Sequence, residues 1–91
     1  MELIVPVVNM NGNTREQLVQ ELQNAFDKVR DAQYAVQACD WSHGRNFQTH
    51  PMGQMGHALA ASQKGDLVHQ LDTIHRQLLR LAFAISEQGG E

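Results

Sequence analysis

Histidine, cysteine, arginine and aromatic side chains are the places where this chain could do chemistry. Five histidines, His43, His50, His57, His69 and His75, and a single cysteine, Cys39, are the candidate metal ligands. Zinc sites draw on closely spaced cysteines or on an i, i+4 histidine pair on one helix face. His50 and His57 have Pro51 and two glycines between them, and the spacing of His69 and His75 turns them to different faces. These spacings predict no metal and no cofactor. Cys39 and His43 could pair as nucleophile and base. However, Cys39 falls in an apolar periodicity, where a thiol serves as a small hydrophobe, and no Asn or Asp is placed to orient the histidine. Asp27, Asp31, Asp66 and Asp72 occupy solvent-facing helix positions rather than forming a catalytic pair. The reading is of a protein that is not an enzyme.

Two stretches carry binding chemistry instead. Asn11, Gly12, Asn13, Thr14 and Arg15 precede an apolar-periodic segment. A helix start there offers free backbone N–H groups, a hydroxyl and a guanidinium, which together suit an anion. Ordinary capping also explains Thr14 and Gln17, so capping alone and capping plus a ligand site both stand. The second stretch is Trp41, Ser42, His43, Gly44, Arg45, Asn46 and Phe47. Arg45 offers a planar fork for phosphate or carboxylate, and Trp41 or Phe47 a stacking face. Trp41, His43, Arg45 and Phe47 alternate, so an extended loop would present them on one side. Alternatively, the aromatics fold back to plug the end of a helical bundle and Arg45 pairs with Asp40. The candidate ligand-binding set is Asn11, Thr14, Arg15, Trp41, His43, Gly44, Arg45, Asn46 and Phe47.

Two helices must position these stretches. Thr14 with Gln17 forms a capping box, and Asn13 with Glu16 is an equally legal frame one residue earlier. Leu18, Leu22, Ala25, Val29, Ala32, Val36 and Cys39 then recur at alternating steps of four and three. That spacing predicts a helix over 14–39, about 39 Å long at 1.5 Å per residue. Leu67, Leu71, Ile74, Leu78, Leu81 and Ile85 repeat the pattern, with Val68, His75, Leu79 and Ala82 beside them. A second helix is predicted over 52–87, opened by Pro51 and open to a kink or restart at Gly65-Asp66. Residues 1–12 are expected to form an extended arm and turn, with the apolar run Leu3 to Val8 either an edge strand or an extended arm, because Pro6 removes a ladder donor from its middle. The loop spans 40–51, and Gln88 to Glu91 read as a helix stop and a frayed tail.

Two such seams joined by one loop predict an all-α fold, an antiparallel helical hairpin in a single domain. At 91 residues a lone chain buries only roughly 60–65% of its unfolded surface. The second helix is too apolar for one partner to cover. A homo-oligomeric helical bundle is expected, with Leu67, Val68, Leu71, His75, Leu79 and Phe83 at its interface. A net charge of −3 with scattered basic residues excludes nonspecific nucleic-acid binding. With one cysteine, no signal-peptide pattern and no apolar run of about 20 residues, the expectation is a soluble cytoplasmic protein.

The segment Val7 to Glu16 and the loop His43 to Phe47 resemble a family of short proteins from tailed phages and prophages. Members show an Asn-Gly-Thr/Ser-Arg-Glu start, a helix, a His-Gly-Arg-Asp-Tyr loop and a second helix. The resemblance runs from about Val7 to Ile85. Asn13 is extra relative to the family pattern, Asn46 stands where it has an acid, and Phe47 where it has a tyrosine. The resemblance implies an accessory protein acting in the bacterial host cytoplasm by stoichiometric binding, without catalysis. Its target would be an anionic or nucleotide-like small ligand of host defence. Alternatively, it would bind and inhibit a host or phage protein, or serve in virion assembly.

Overall fold

The computed structural model describes residues 2–88, so Gly89 to Glu91, read above as part of a frayed tail, lie outside the described residues. Two helices, α1 over Arg15–Ala38 and α2 over Gly53–Ser86, fold back on each other as an antiparallel hairpin. A 3₁₀ turn at Gly44–Phe47 lies in the connection. The chain is all-helical among the described residues, and the hairpin measures 63 × 21 × 18 Å.

Helix α1 starts in the Thr14 frame. The Gln17 N–H donates to Thr14 Oγ1 at 3.1 Å, and the Thr14 N–H donates to Gln17 Oε1 at 2.9 Å. Its last turn carries no basic residue of its own. Lys64 of α2 supplies the cation, donating to the Cys39 carbonyl at 2.7 Å, where a helix C-terminus leaves acceptors unpaired. The arm forms no strand. Gln88 pins it by accepting from the Val8 N–H at 3.1 Å and donating to the Pro6 carbonyl at 2.7 Å.

Helix α2 begins at Gly53, not at Pro51, because the preceding residues close a turn first. The Met52 N–H donates to His50 Nδ1 at 3.0 Å and the Gly53 N–H to the His50 carbonyl at 2.9 Å. It then runs unbroken through Gly65, where a kink or restart had been an option. Two of its glycines, Gly56 and Gly65, differ in kind. A methyl added at Gly65 meets nothing within 4 Å, whereas one at Gly56 would lie 3.1 Å from both His50 Nδ1 and Phe47 Cδ1. Gly65→Ala should therefore stabilise the fold by up to about 1 kcal/mol through helix propensity. Gly56→Ala should destabilise it by about 1 kcal/mol, because crowding in a packed site outweighs that gain. Thermal melts of the two variants at one protein concentration check the opposite signs.

The inward faces are each rotated from the expected seams. On α1, Leu18, Leu22, Ala25, Val29 and Val36 are half-buried as expected, but Ala32 and Cys39 are exposed and Gln33 is buried. On α2 the line toward α1 is Ala60, Lys64, Val68, Leu71, His75, Leu78, Ala82 and Ile85, all buried or half-buried. Leu67 and Ile74, expected in that line, are 44% and 43% exposed. The cause is a polar bridge between the helices. Arg30 donates to Gln33 Oε1 at 2.5 Å and to His75 Nδ1 at 3.1 Å, and lies 3.5 Å from Asp72 Oδ1. Gln33 Nε2 donates to the Val68 carbonyl at 3.3 Å, Arg76 holds the second Asp72 oxygen at 2.9 Å, and the Phe26 ring meets His75 edge-on at 5.3 Å. Buried polar groups must be paired, and no buried side-chain polar atom among the described residues lacks a partner.

Candidate functional site

The candidate residues fall at the two ends of the hairpin. Thr14 and Arg15 open α1 and Trp41 to Phe47 follow it, so the 24 residues of α1 separate them by about 36 Å. Within one chain they cannot form one pocket.

At the arm end, an open depression of about 280 Å³ is lined by Val8, Asn9, Met10, Gly12, Thr14, Arg15, Glu16 and Gln88. Arg15 donates to the Gln88 carbonyl and lies 3.5 Å from Glu16 Oε2. The Thr14 hydroxyl is spent on its cap. The Asn11 N–H is taken by Asn9 Oδ1 at 2.9 Å, an Asx turn, and Asn11 does not line the depression. Gln88 had been assigned to the tail and Asn9 to a generic turn. Nothing local marks either one, since their partners lie across the chain or in the turn itself.

At the loop end, the 3₁₀ turn replaces the extended loop, and Trp41, His43, Arg45 and Phe47 do not align on one side. The His43 side chain caps the turn, its Nδ1 accepting from the Arg45 N–H at 3.1 Å. Arg45 pairs with Asp40 Oδ2 at 2.6 Å, and Asn46 donates to the Asp40 carbonyl at 2.7 Å. The Arg45 pair is exposed on both sides, worth about 0–1 kcal/mol, so an anion can displace the aspartate. Phe47 packs inward against His50 and His57, at 5.2 and 6.1 Å between ring centres. His57 Nδ1 lies 2.7 Å from the Ser42 carbonyl, which only accepts, so Nδ1 carries the proton. Lys64 sits 5.7 Å from the Trp41 ring centre, placed to make a cation–π contact. A second depression, about 340 Å³, is lined by Gly44, Phe47, Gln48, Gly53, Gln54 and His57. It takes Gly44 and Phe47 from the candidate set and adds His57, which the spacing of histidines did not single out.

No group of three or more His, Cys, Asp or Glu side chains is placed to hold a metal among the described residues. Cys39 is exposed rather than in the seam, with Sγ 3.4 Å from the Ala35 carbonyl. Of the expected interface residues, Leu67, Leu79 and Phe83 are 44%, 46% and 64% exposed. Val68, Leu71 and His75 are instead turned into the hairpin, where His75 meets Arg30 and Phe26. No helix among the described residues is long and apolar enough to cross a membrane.

The chain matches no family model, no curated protein and no solved structure.

Proposed function

We propose that this chain is a small phage-type accessory protein of the bacterial cytoplasm that acts by stoichiometric binding. Its working unit is a homo-oligomeric bundle of hairpins, and its ligand is an anionic, nucleotide-like small molecule of host defence. The observation that carries the reading is the open depression at the arm end, where Arg15 stands beside the start of α1. A guanidinium next to a helix N-terminus favours phosphate or carboxylate. Arg45, held only by an exposed aspartate, offers a second such fork at the other end.

A protein target is the second reading. It is favoured by Leu79 and Phe83, which remain open on the flank of α2 away from Leu67 and Ile74.

A thermal-shift panel of mono-, di- and cyclic nucleotides separates the two readings. Capture of an anion raises the melting point by several degrees at ligand concentrations well above Kd, and both Arg15→Ala and Arg45→Ala reduce the shift. If no nucleotide moves the melting point, and native mass spectrometry of protein from its host shows a second polypeptide in integer ratio, the ligand reading fails and the protein target stands.

A further inference from the structure

The hairpin exposes more surface than a compact chain of its mass. Its surface is 6766 Å² for 10.2 kDa, where a compact monomer of that mass exposes about 5,300 Å². Its radius of gyration is 19.2 Å against about 12 Å for a compact chain of this length. The surplus of roughly 1,400 Å² per chain matches what a protomer of an obligate dimer buries.

The structure also shows where that surface is self-complementary. About a quarter turn from the line facing α1, α2 carries Leu59, Gln63, Leu67, Gln70, Ile74, Gln77 and Leu81. This stripe is close to a palindrome about Gln70: Leu59 and Leu81 each lie eleven residues away and Gln63 and Gln77 seven, while Leu67 lies three before and Ile74 four after. Leu59, Leu67 and Ile74 are each more than two-fifths exposed. An isologous two-fold interface needs one patch to fit itself, and an antiparallel helix pair needs its pattern to read alike from both ends. A depression of about 310 Å³ within the stripe is lined by Gln63, Asp66, Leu67 and Gln70. That i, i+3, i+4, i+7 diamond is the hole that receives one side chain from a facing helix. With the two-fold axis beside Gln70, the residue opposite the centre of the hole is Ile74 of the second copy.

We propose that two copies pair antiparallel through this α2 stripe, Ile74 of each filling the hole of the other. This rests on the homo-oligomer reading above and gives it a geometry. The pairing sets Gly53 of one chain level with Glu87 of the other. The arm-end depression with Arg15 then lies beside the partner's loop end, which carries Arg45 and Phe47, so two clusters that one chain holds apart become neighbours.

Cysteine scanning in a Cys39→Ser background tests it. Gln70→Cys should cross-link with itself to a covalent dimer under mild oxidation. Leu67→Cys mixed with Ile74→Cys should give the mixed dimer, and His69→Cys, off the stripe, should not cross-link. Ile74→Glu, which drives a carboxylate toward Asp66, should yield a folded chain that sediments at half the parent mass, its helicity checked by circular dichroism. If the parent chain is an oligomer but Gln70→Cys fails to cross-link and Phe83→Glu dissociates it instead, the stripe is the wrong face while self-association stands. If the parent chain sediments as a monomer at high micromolar concentration, both readings fall.

Discussion

Ile85→Ala should lower the stability of the fold by about 3 kcal/mol, the cost of deleting buried methyl groups and leaving a cavity. Ile85 is 1% exposed and is the only large side chain fully buried among the described residues. Arg15 reaches Gln88 and Arg30 reaches His75, so Ile85 lies level with Leu18, where the arm end of the hairpin is held shut. In a chain of this size that loss corresponds to a fall in melting point of roughly 12–20 °C. Denaturant melts at a fixed protein concentration measure it, with Ile4→Ala as the control because Ile4 is 86% exposed. A loss at Ile85 under 1 kcal/mol (a floor set by the usual range for such truncations) would mean that the two helices do not meet there.

Arg30→Ala should cost about 2–3 kcal/mol, because one deletion strands several partners at once. Gln33 Oε1 loses its donor in a residue that is 6% exposed, and His75 Nδ1 loses its own. Asp72 keeps Arg76 but loses the guanidinium across the hairpin. Arg30→Lys should recover only part of the loss, since an ammonium lacks the fork that meets Gln33 and His75 together. A double-mutant cycle with Gln33→Ala gives the sharper reading. Groups in one network are not additive, so Arg30→Ala should cost much less once Gln33 is already alanine. Strict additivity would show that the guanidinium acts only as surface charge.

The hairpin itself was legible in the residues. The alternating steps of four and three from Leu18 and from Leu67, the Thr14–Gln17 box and the turn residues after Asp40 suffice for two antiparallel helices. Which side chains face inward was legible only in part. Counting apolar positions favours Ala32 over Gln33, because a polar residue is scored as outward by type, and it sets His75 in the stripe beside the seam while giving the seam itself to Ile74. Gln33 points inward because Arg30 on its own helix and the Val68 carbonyl across the seam satisfy it, and His75 because Arg30 reaches it, and no local pattern reports a partner 45 residues away. Gly65 was ambiguous because its cost of about 1 kcal/mol is small beside the packing of a 34-residue helix. Each candidate stretch stood out by its residue types. That the two lie at opposite ends follows from the length of α1, but the roles of Gln88 and His57 depend on contacts made only after the chain has folded back.

The polar bridge also decides which of several near-equivalent alignments the hairpin adopts. Sliding one helix past the other by a heptad, about 10.5 Å, would keep most leucines opposite apolar neighbours, so the greasy residues alone discriminate poorly against slippage. Such a slide would take the Arg30 guanidinium off His75 and Asp72 and leave it only the Gln33 amide of its own helix, with an apolar residue opposite. Arg30, Gln33, Asp72 and His75 thus act as a single key cut for one alignment, as one buried polar residue does in a coiled coil.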